Sequence, residues 1–156
     1  MPYYMKEAPK SREEPILTRA IAGRIAALTL FSVALSVFFL TVPRIGAFYC
    51  VEQGELRLLT AFFAFFIFAG VFNCFNARTD RVRMLAGVGK NPAFLLIMSL
   101  VGAVQIFFVY AGGSVLRTLP LSPRELLLAL GLAALTLPFG FLHLVLRRLS
   151  GKADLY

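Results

Sequence analysis

The chain has 156 residues, 59% of them apolar or aromatic, with 16 basic and 8 acidic side chains and a net charge of +8. That length admits one domain, and the apolar fraction excludes an ordinary soluble globule. Residues 25–43, 58–77, 91–116 and 126–146 contain no Asp, Glu, Lys or Arg and run 19 to 26 residues each, whereas a hydrocarbon core of about 30 Å is crossed by about 20 helical residues. The expected fold is all-α, an integral membrane four-helix bundle forming a single membrane domain over residues 1–156. Its spans are expected at about 22–43, 57–77, 93–113 and 125–147.

Residues 1–20 form a polar arm of mixed charge with Pro2, Pro9 and Pro15. The arm is too short for a domain and lacks the early apolar run of a cleaved leader. Thr18 is a candidate cap for the helix entering through Arg24. Within the first span, Ser32 and Ser36 can return their hydroxyls to backbone carbonyls. The connection from Arg44 to Arg57 carries Gly46, Cys50 and Gly54, and reads as a turn region.

In the Phe-rich second span, Ala64 and Gly70 are small enough to admit a close helix neighbour. Asn73 and Asn76 lie one turn apart near its end. Cys74 is separated from Cys50 by about 25 Å of helix and loop, too far to bridge. With no neighbouring His, the two thiols make no zinc motif.

The loop 78–90, RTDRVRMLAGVGK after the preceding helix, interrupts its charges with Val82, Met84, Leu85 and Val88. That spacing predicts a short helix along the membrane surface or against a partner. A phosphate-binding loop ending at Gly89-Lys90 would require glycine at position 84, where Met84 stands. The third span carries Gln105 near its middle. The next connection, Arg117 to Glu125, turns around Pro120 and Pro123. In the last span Pro138 should bend the helix, and His143 sits near its interfacial end.

Counting Lys and Arg by side gives 12 in the arm, the middle loop and the C-terminal end, against Arg44, Arg57, Arg117 and Arg124 in the other two connections. The positive-inside rule then places both termini in the cytoplasm. This distribution also accounts for the basic charge without nucleic acid as a partner; the partner implied directly is the lipid bilayer. No Asp or Glu falls within the four charge-free runs, and Arg24, Arg57 and Arg147 mark ends where long side chains can snorkel. The chain therefore lacks the intramembrane carboxylate of a self-sufficient ion pump and any nucleophile–base pair. No catalytic, cofactor-binding or metal-binding residue is expected. The polar and small residues worth weighing as ion-pathway or helix-packing positions are Gly70, Asn73, Asn76 and Gln105, and packing is the commoner use.

The motif FNCFNAR at residues 72–78, followed by Lys90-Asn91-Pro92 and by Gln105 ahead of Gly112-Gly113, resembles the C-terminal membrane domain of calcium-transporting P-type ATPases. SREEPILTR at residues 11–19 and GGSVLRTLPLSPREL at residues 112–126 extend the resemblance, in family order, over nearly the whole chain. It implies helices seven to ten of a ten-helix pump in the cell membrane, moving calcium or another cation. Its partners would be the remaining ATPase helices and the cytoplasmic domains carrying the phosphorylated D-K-T-G-T motif. None of that catalytic machinery lies in these residues. The resemblance places Gly70 where the eighth helix of some relatives offers an ion ligand, and Asn73 on a family asparagine. The acidic residue that bacterial members carry after the helix-ten proline has no counterpart in Pro138-Phe139-Gly140-Phe141-Leu142-His143. The implied role is a support domain of the pump, as a fragment or split subunit. The alternative is a stand-alone small membrane protein derived from that domain, with a binding or regulatory role.

Overall fold

The computed structural model describes residues 19–49, 54–78 and 92–149. The helix expected in the loop 78–90, most of the N-terminal arm and Cys50 lie outside these residues. The described chain is helical without strands: α1 (Arg19–Thr41), α2 (Pro43–Tyr49), α3 (Glu55–Arg78), α4 (Pro92–Ala111), α5 (Gly113–Leu116), α6 (Pro123–Ala134) and α7 (Thr136–Leu149). Four segments are long and apolar enough to cross a membrane: Ile21–Thr41, Glu55–Ala77, Pro92–Ala111 and Pro123–Leu146, the last made of α6 and α7 together. The expected all-helical, four-span architecture is the one observed.

Helix ends fall where the backbone chemistry puts them. Val42 leaves the helix because Pro43 follows it, and Pro43 then opens α2 at a position where its missing N–H has no partner to lose. α4 stops at Ala111 before two glycines. A Cβ on Gly112 would fall on the Phe108 carbonyl and the Thr118 hydroxyl, and Gly113 has φ of 43°, so both positions call for glycine. The last span is interrupted at Leu135, three residues before Pro138. The break places the proline in the first turn of α7, where it removes no helical hydrogen bond.

α3 is the central element and packs against α1, α2, α4, α6 and α7. Its buried stripe is Ala61, Ala64, Phe65, Phe68 and Ala69, the spacing of one helical face. Ala129 and Ala133 of α6 are likewise fully buried. Small residues on both helices let the α3 and α6 backbones approach closely, which is how helices gain packing energy in lipid. Beside this seam Phe39 of α1 is fully buried and stacks on Phe65 at 4.9 Å and Tyr49 at 5.7 Å between ring centroids. About two turns earlier on α1, Phe31 stacks on Phe139 of α7 at 3.9 Å.

One end of the bundle is pinned around Glu125. The fourth span starts at Pro123, so Glu125 belongs to its first turn and is 6% exposed, correcting the expectation of spans free of carboxylates. Ser122 and Glu125 form a reciprocal capping box on α6. The Glu125 carboxylate accepts the Ser122 N–H at 2.6 Å and pairs with Arg57 at 3.3 Å, while its backbone carbonyl accepts the Tyr49 hydroxyl at 2.8 Å. Arg57 therefore turns inward to a partner instead of snorkelling. Burial, and after it the charge of Glu125, pushes the Tyr49 phenol well above its usual range, keeping it a neutral donor. The connection above α6 is tied down as well. Tyr110 donates to the Leu121 carbonyl at 3.0 Å, Thr118 to the Phe108 carbonyl at 3.0 Å, and the Leu119 N–H to the Thr60 hydroxyl at 3.1 Å.

Removing one member of a mostly buried ion pair strands the other charge. Arg57→Met is therefore expected to lower the unfolding free energy by about 3 kcal/mol in a denaturing-detergent titration of the micellar chain. Ser122→Ala, which loses a cap alone, should cost about 1 kcal/mol. Losses below about 0.5 kcal/mol for both would show that this end does not anchor the bundle.

Candidate functional site

Far from Glu125 along α3, a second set of polar side chains joins three helices. Asn73 and Asn76 are one turn apart on α3, so their amides share a face and meet at 3.4 Å between Asn76 Nδ2 and Asn73 Oδ1. Asn73 Nδ2 donates to the Ser32 hydroxyl of α1 at 2.9 Å. Asn76, fully buried, donates from Nδ2 to the Thr136 carbonyl of α7 at 2.8 Å. The Asn76 backbone carbonyl accepts from the Arg24 guanidinium of α1. The expected return of Ser36 to a carbonyl one turn back is present, at 2.8 Å from Ser32 O, whereas the Ser32 hydroxyl takes up Asn73.

The site exists because α7 provides room for it. The Asn76 amide occupies the place where a side chain at residue 140 would begin, with a Cβ on Gly140 only 2.6 Å from Asn76 Nδ2. Thr136 turns its hydroxyl to the Ala133 carbonyl at 2.9 Å, covering an acceptor freed by the break before α7. The Thr136 carbonyl is then left for Asn76. Sequence reasoning found the asparagine pair and not Arg24, Thr136 or Gly140 as its partners. The one local hint was a glycine two residues after Pro138, a spacing that suits close approach.

The other two candidate residues lie elsewhere. Gln105 is 3% exposed on α4, on the face shared with Gly102 and Val109 that meets Phe68 and its neighbours on α3, and its Nε2 has no partner among the described residues. Gly70 is exposed, with nothing within 4 Å of where its Cβ would stand. Ala64 and Gly70 thus do not serve one close contact. Six residues advance the helix by about 600°, leaving the two about 120° apart around the axis. Gly70 belongs instead to the exposed stripe of Leu59, Phe66 and Cys74 on the far side of α3.

Chemically, the Asn73–Asn76 cluster is a clamp. Its amide donors are committed to neighbouring helices, and a guanidinium stands against the Asn76 carbonyl. A hard cation such as calcium takes six to eight oxygen ligands. Asn76 Oδ1 is the buried side-chain oxygen here without a partner among the described residues. Among those residues no three His, Cys, Asp or Glu come together to hold a metal ion. Interhelical bonds of this kind contribute about 0.6 kcal/mol each in a membrane bundle.

Gly140→Ala is expected to displace the Asn76 amide and destabilise the micellar chain by about 1–3 kcal/mol. Gly70→Ala, in open space, should stay within about 0.5 kcal/mol of the parent. Equal stability of the two variants in an unfolding titration would show that the Asn76–Gly140 contact does not constrain the fold.

The family model for the C-terminus of cation transporting ATPases matches residues 2–146. The chain is 28% identical over 152 residues to calcium-transporting ATPase PAT1 of Dictyostelium discoideum, covering 90% of this chain and 14% of that protein. It is 30% identical over 138 residues to the plasma membrane-type calcium-transporting ATPase 7 of Oryza sativa subsp. japonica, covering 88% of this chain and 13% of the relative. To the plasma membrane-type calcium-transporting ATPase 8 of Arabidopsis thaliana it is 28% identical over 140 residues, covering 87% and 13%. The chain thus spans 13–14% of the length of these relatives. No solved structure matches it.

Proposed function

The chain belongs to the cation transporting ATPase C-terminal family, and from that membership we propose that it serves as the membrane support domain of a calcium-type P-type ATPase, either as a fragment or as a split subunit. The observation that carries this reading is the extent of the family match. Residues 2–146 take in all four membrane-length helices and both polar clusters that tie them together. On this reading the chain hydrolyses nothing itself. It holds position while the other helices of the pump, driven by its phosphorylated cytoplasmic domain, rearrange around the transported cation. Calcium is the cargo suggested by the relatives' names.

A scaffold must resist shear at both membrane faces, and the clamps are placed for that: Glu125 with Arg57 and Tyr49 at one end, Asn73 and Asn76 with Ser32 and Thr136 at the other. The exposed α3 stripe of Leu59, Phe66, Gly70 and Cys74 is the surface proposed to receive the remaining helices. At Gly70 the chain brings open space and no side chain, so ions would be ligated from the partner helices. Both termini are proposed to lie in the cytoplasm, a reading supported by the excess of Lys and Arg in the arm, the middle loop and the C-terminal end. The plasma membrane is the proposed location, by likeness to the relatives.

The test is the size and company of the native product in source membranes, detected through its C-terminal peptide. A product several times larger than 17.2 kDa, or a 17.2-kDa product that co-purifies with a chain containing D-K-T-G-T, is the expected result. A 17.2-kDa product without such a partner overturns the proposal in favour of a stand-alone protein. Gly70→Asp adds a second measure. It is expected to leave the fold of the isolated chain intact while weakening its assembly with the partner helices by about 3 kcal/mol, the cost of a carboxylate at mid-membrane.

A further inference from the structure

At the Glu125 end of the bundle, two basic side chains have no use within the described chain. The Arg57 side chain is taken up by Glu125, and Arg117 lends its backbone, not its side chain, to the left-handed cap after α5 and stands outside the groove described below. Arg44 and Arg124 are exposed and make no hydrogen bond or ion pair with any described residue. Arg124 stands in the first turn of α6, where the positive end of the helix dipole disfavours a cation. Both lie on the side of the membrane that carries few basic residues, so topology does not ask for them either.

The two arginines meet at one place. With Ile45, Phe48, Leu127 and Leu128 they line a shallow, open groove between α2 and the start of α6. Apart from the two guanidiniums, the lining side chains are apolar, and Phe48 and Leu127 are 43% and 67% exposed. The groove also has a definite depth. The first membrane-length helix ends at Thr41, just before Arg44, and the last begins at Pro123, just before Arg124. The guanidiniums therefore stand where hydrocarbon gives way to headgroups, and Leu127 and Leu128 lie about one turn further into the apolar layer.

We propose that this groove is a phospholipid site. The phosphodiester bridges Arg44 and Arg124, and one acyl chain lies over Phe48, Leu127 and Leu128. Guanidinium is the side chain best matched to a phosphate, through paired charge-assisted hydrogen bonds. A free anion would leave the apolar wall uncovered, and a lipid without phosphate would leave two cations unpaired. A second copy of a chain with 16 basic and 8 acidic residues is a poor counterpart for an arginine pair. The site goes beyond the pump reading and does not depend on it.

Native mass spectrometry of the 156-residue chain in mild detergent, titrated with phosphatidylglycerol, tests this. Parallel titrations use a diacylglycerol with the same acyl chains and inorganic phosphate. The expected result is a phosphatidylglycerol adduct that is weakened at least about tenfold in the double variant Arg44→Gln, Arg124→Gln and is about tenfold weaker for diacylglycerol. Because both arginines are exposed, the double variant should keep its helical circular dichroism. Leu127→Asn, which leaves the charges in place, should also weaken the lipid adduct. Undiminished lipid binding by both variants, inorganic phosphate binding as tightly as the lipid, or an arginine-dependent dimer replacing the adduct would each overturn the proposal.

Discussion

Apolar helices gain nothing from the hydrophobic effect by leaving lipid for one another, so the bundle depends on how closely α3 and α6 can approach. Ala61, Ala64 and Ala69 on α3 and Ala129 and Ala133 on α6 are all buried, so these two extensively contacting helices are free of bulk at several core positions. Larger side chains are moved to the flanks, where Phe39, Phe65 and Tyr49 fill the space beside α1 and α2. Most of α1 and α4 is left facing outward with ordinary lipid-compatible side chains. A single close contact thus sets the geometry, and the aromatic residues fit around it.

The same solvent explains why the polar groups sit at the two ends of α3. Backbone and side-chain polar atoms in hydrocarbon must find partners inside the protein, and breaks in the helices supply both the need and the partners. The interruption at Leu135 is covered partly by Thr136, and Asn76 reaches the carbonyl of that same residue. The turn after α5 is covered by Thr60, Thr118 and Tyr110. Both of these irregular segments are tied to their neighbours by side chains of types found in every globular protein. Here they carry more consequence because water is not there to replace them.

The number of membrane-length helices was legible in the sequence because the bilayer imposes a length that charge-free runs must meet. Pro138 similarly announces an irregularity in the last span through its covalent geometry, and the helix breaks at Leu135. The partners of the polar residues were not legible. Asn73 and Ser32 are 41 positions apart, Asn76 and Thr136 are 60 apart, and Arg57 and Glu125 are 68 apart. No local pattern encodes such pairings. Arg57 illustrates the difficulty: near a span boundary, an arginine that snorkels and one that turns inward to a carboxylate have the same sequence context. Glu125 was assigned to a connection because a charge was taken to end the apolar run, although a capping box beginning at Ser122 marks the helix start three residues earlier. Ala64 and Gly70 were grouped by size, and helical arithmetic separates them.

The outward surface is not uniform, and its differences follow from what each part can bury. α4 turns Gln105 and Val109 toward α3 and leaves Leu96, Leu100 and Phe107 outside, a distribution that lipid tails satisfy without specificity. The far stripe of α3 differs because it combines a glycine and a cysteine with Leu59 and Phe66 on the most connected helix of the bundle. Its shallow profile at Gly70 suits a helix better than it suits disordered acyl chains, since small residues favour backbone approach. The groove at Arg44 and Arg124 differs again, with fixed charge above an apolar wall at the depth of the headgroups. On the two proposals made above, neutral hydrocarbon, another helix and a charged headgroup are matched to separate faces of one four-span unit. This separation lets α3 remain clamped at both ends while each outer face meets a different environment.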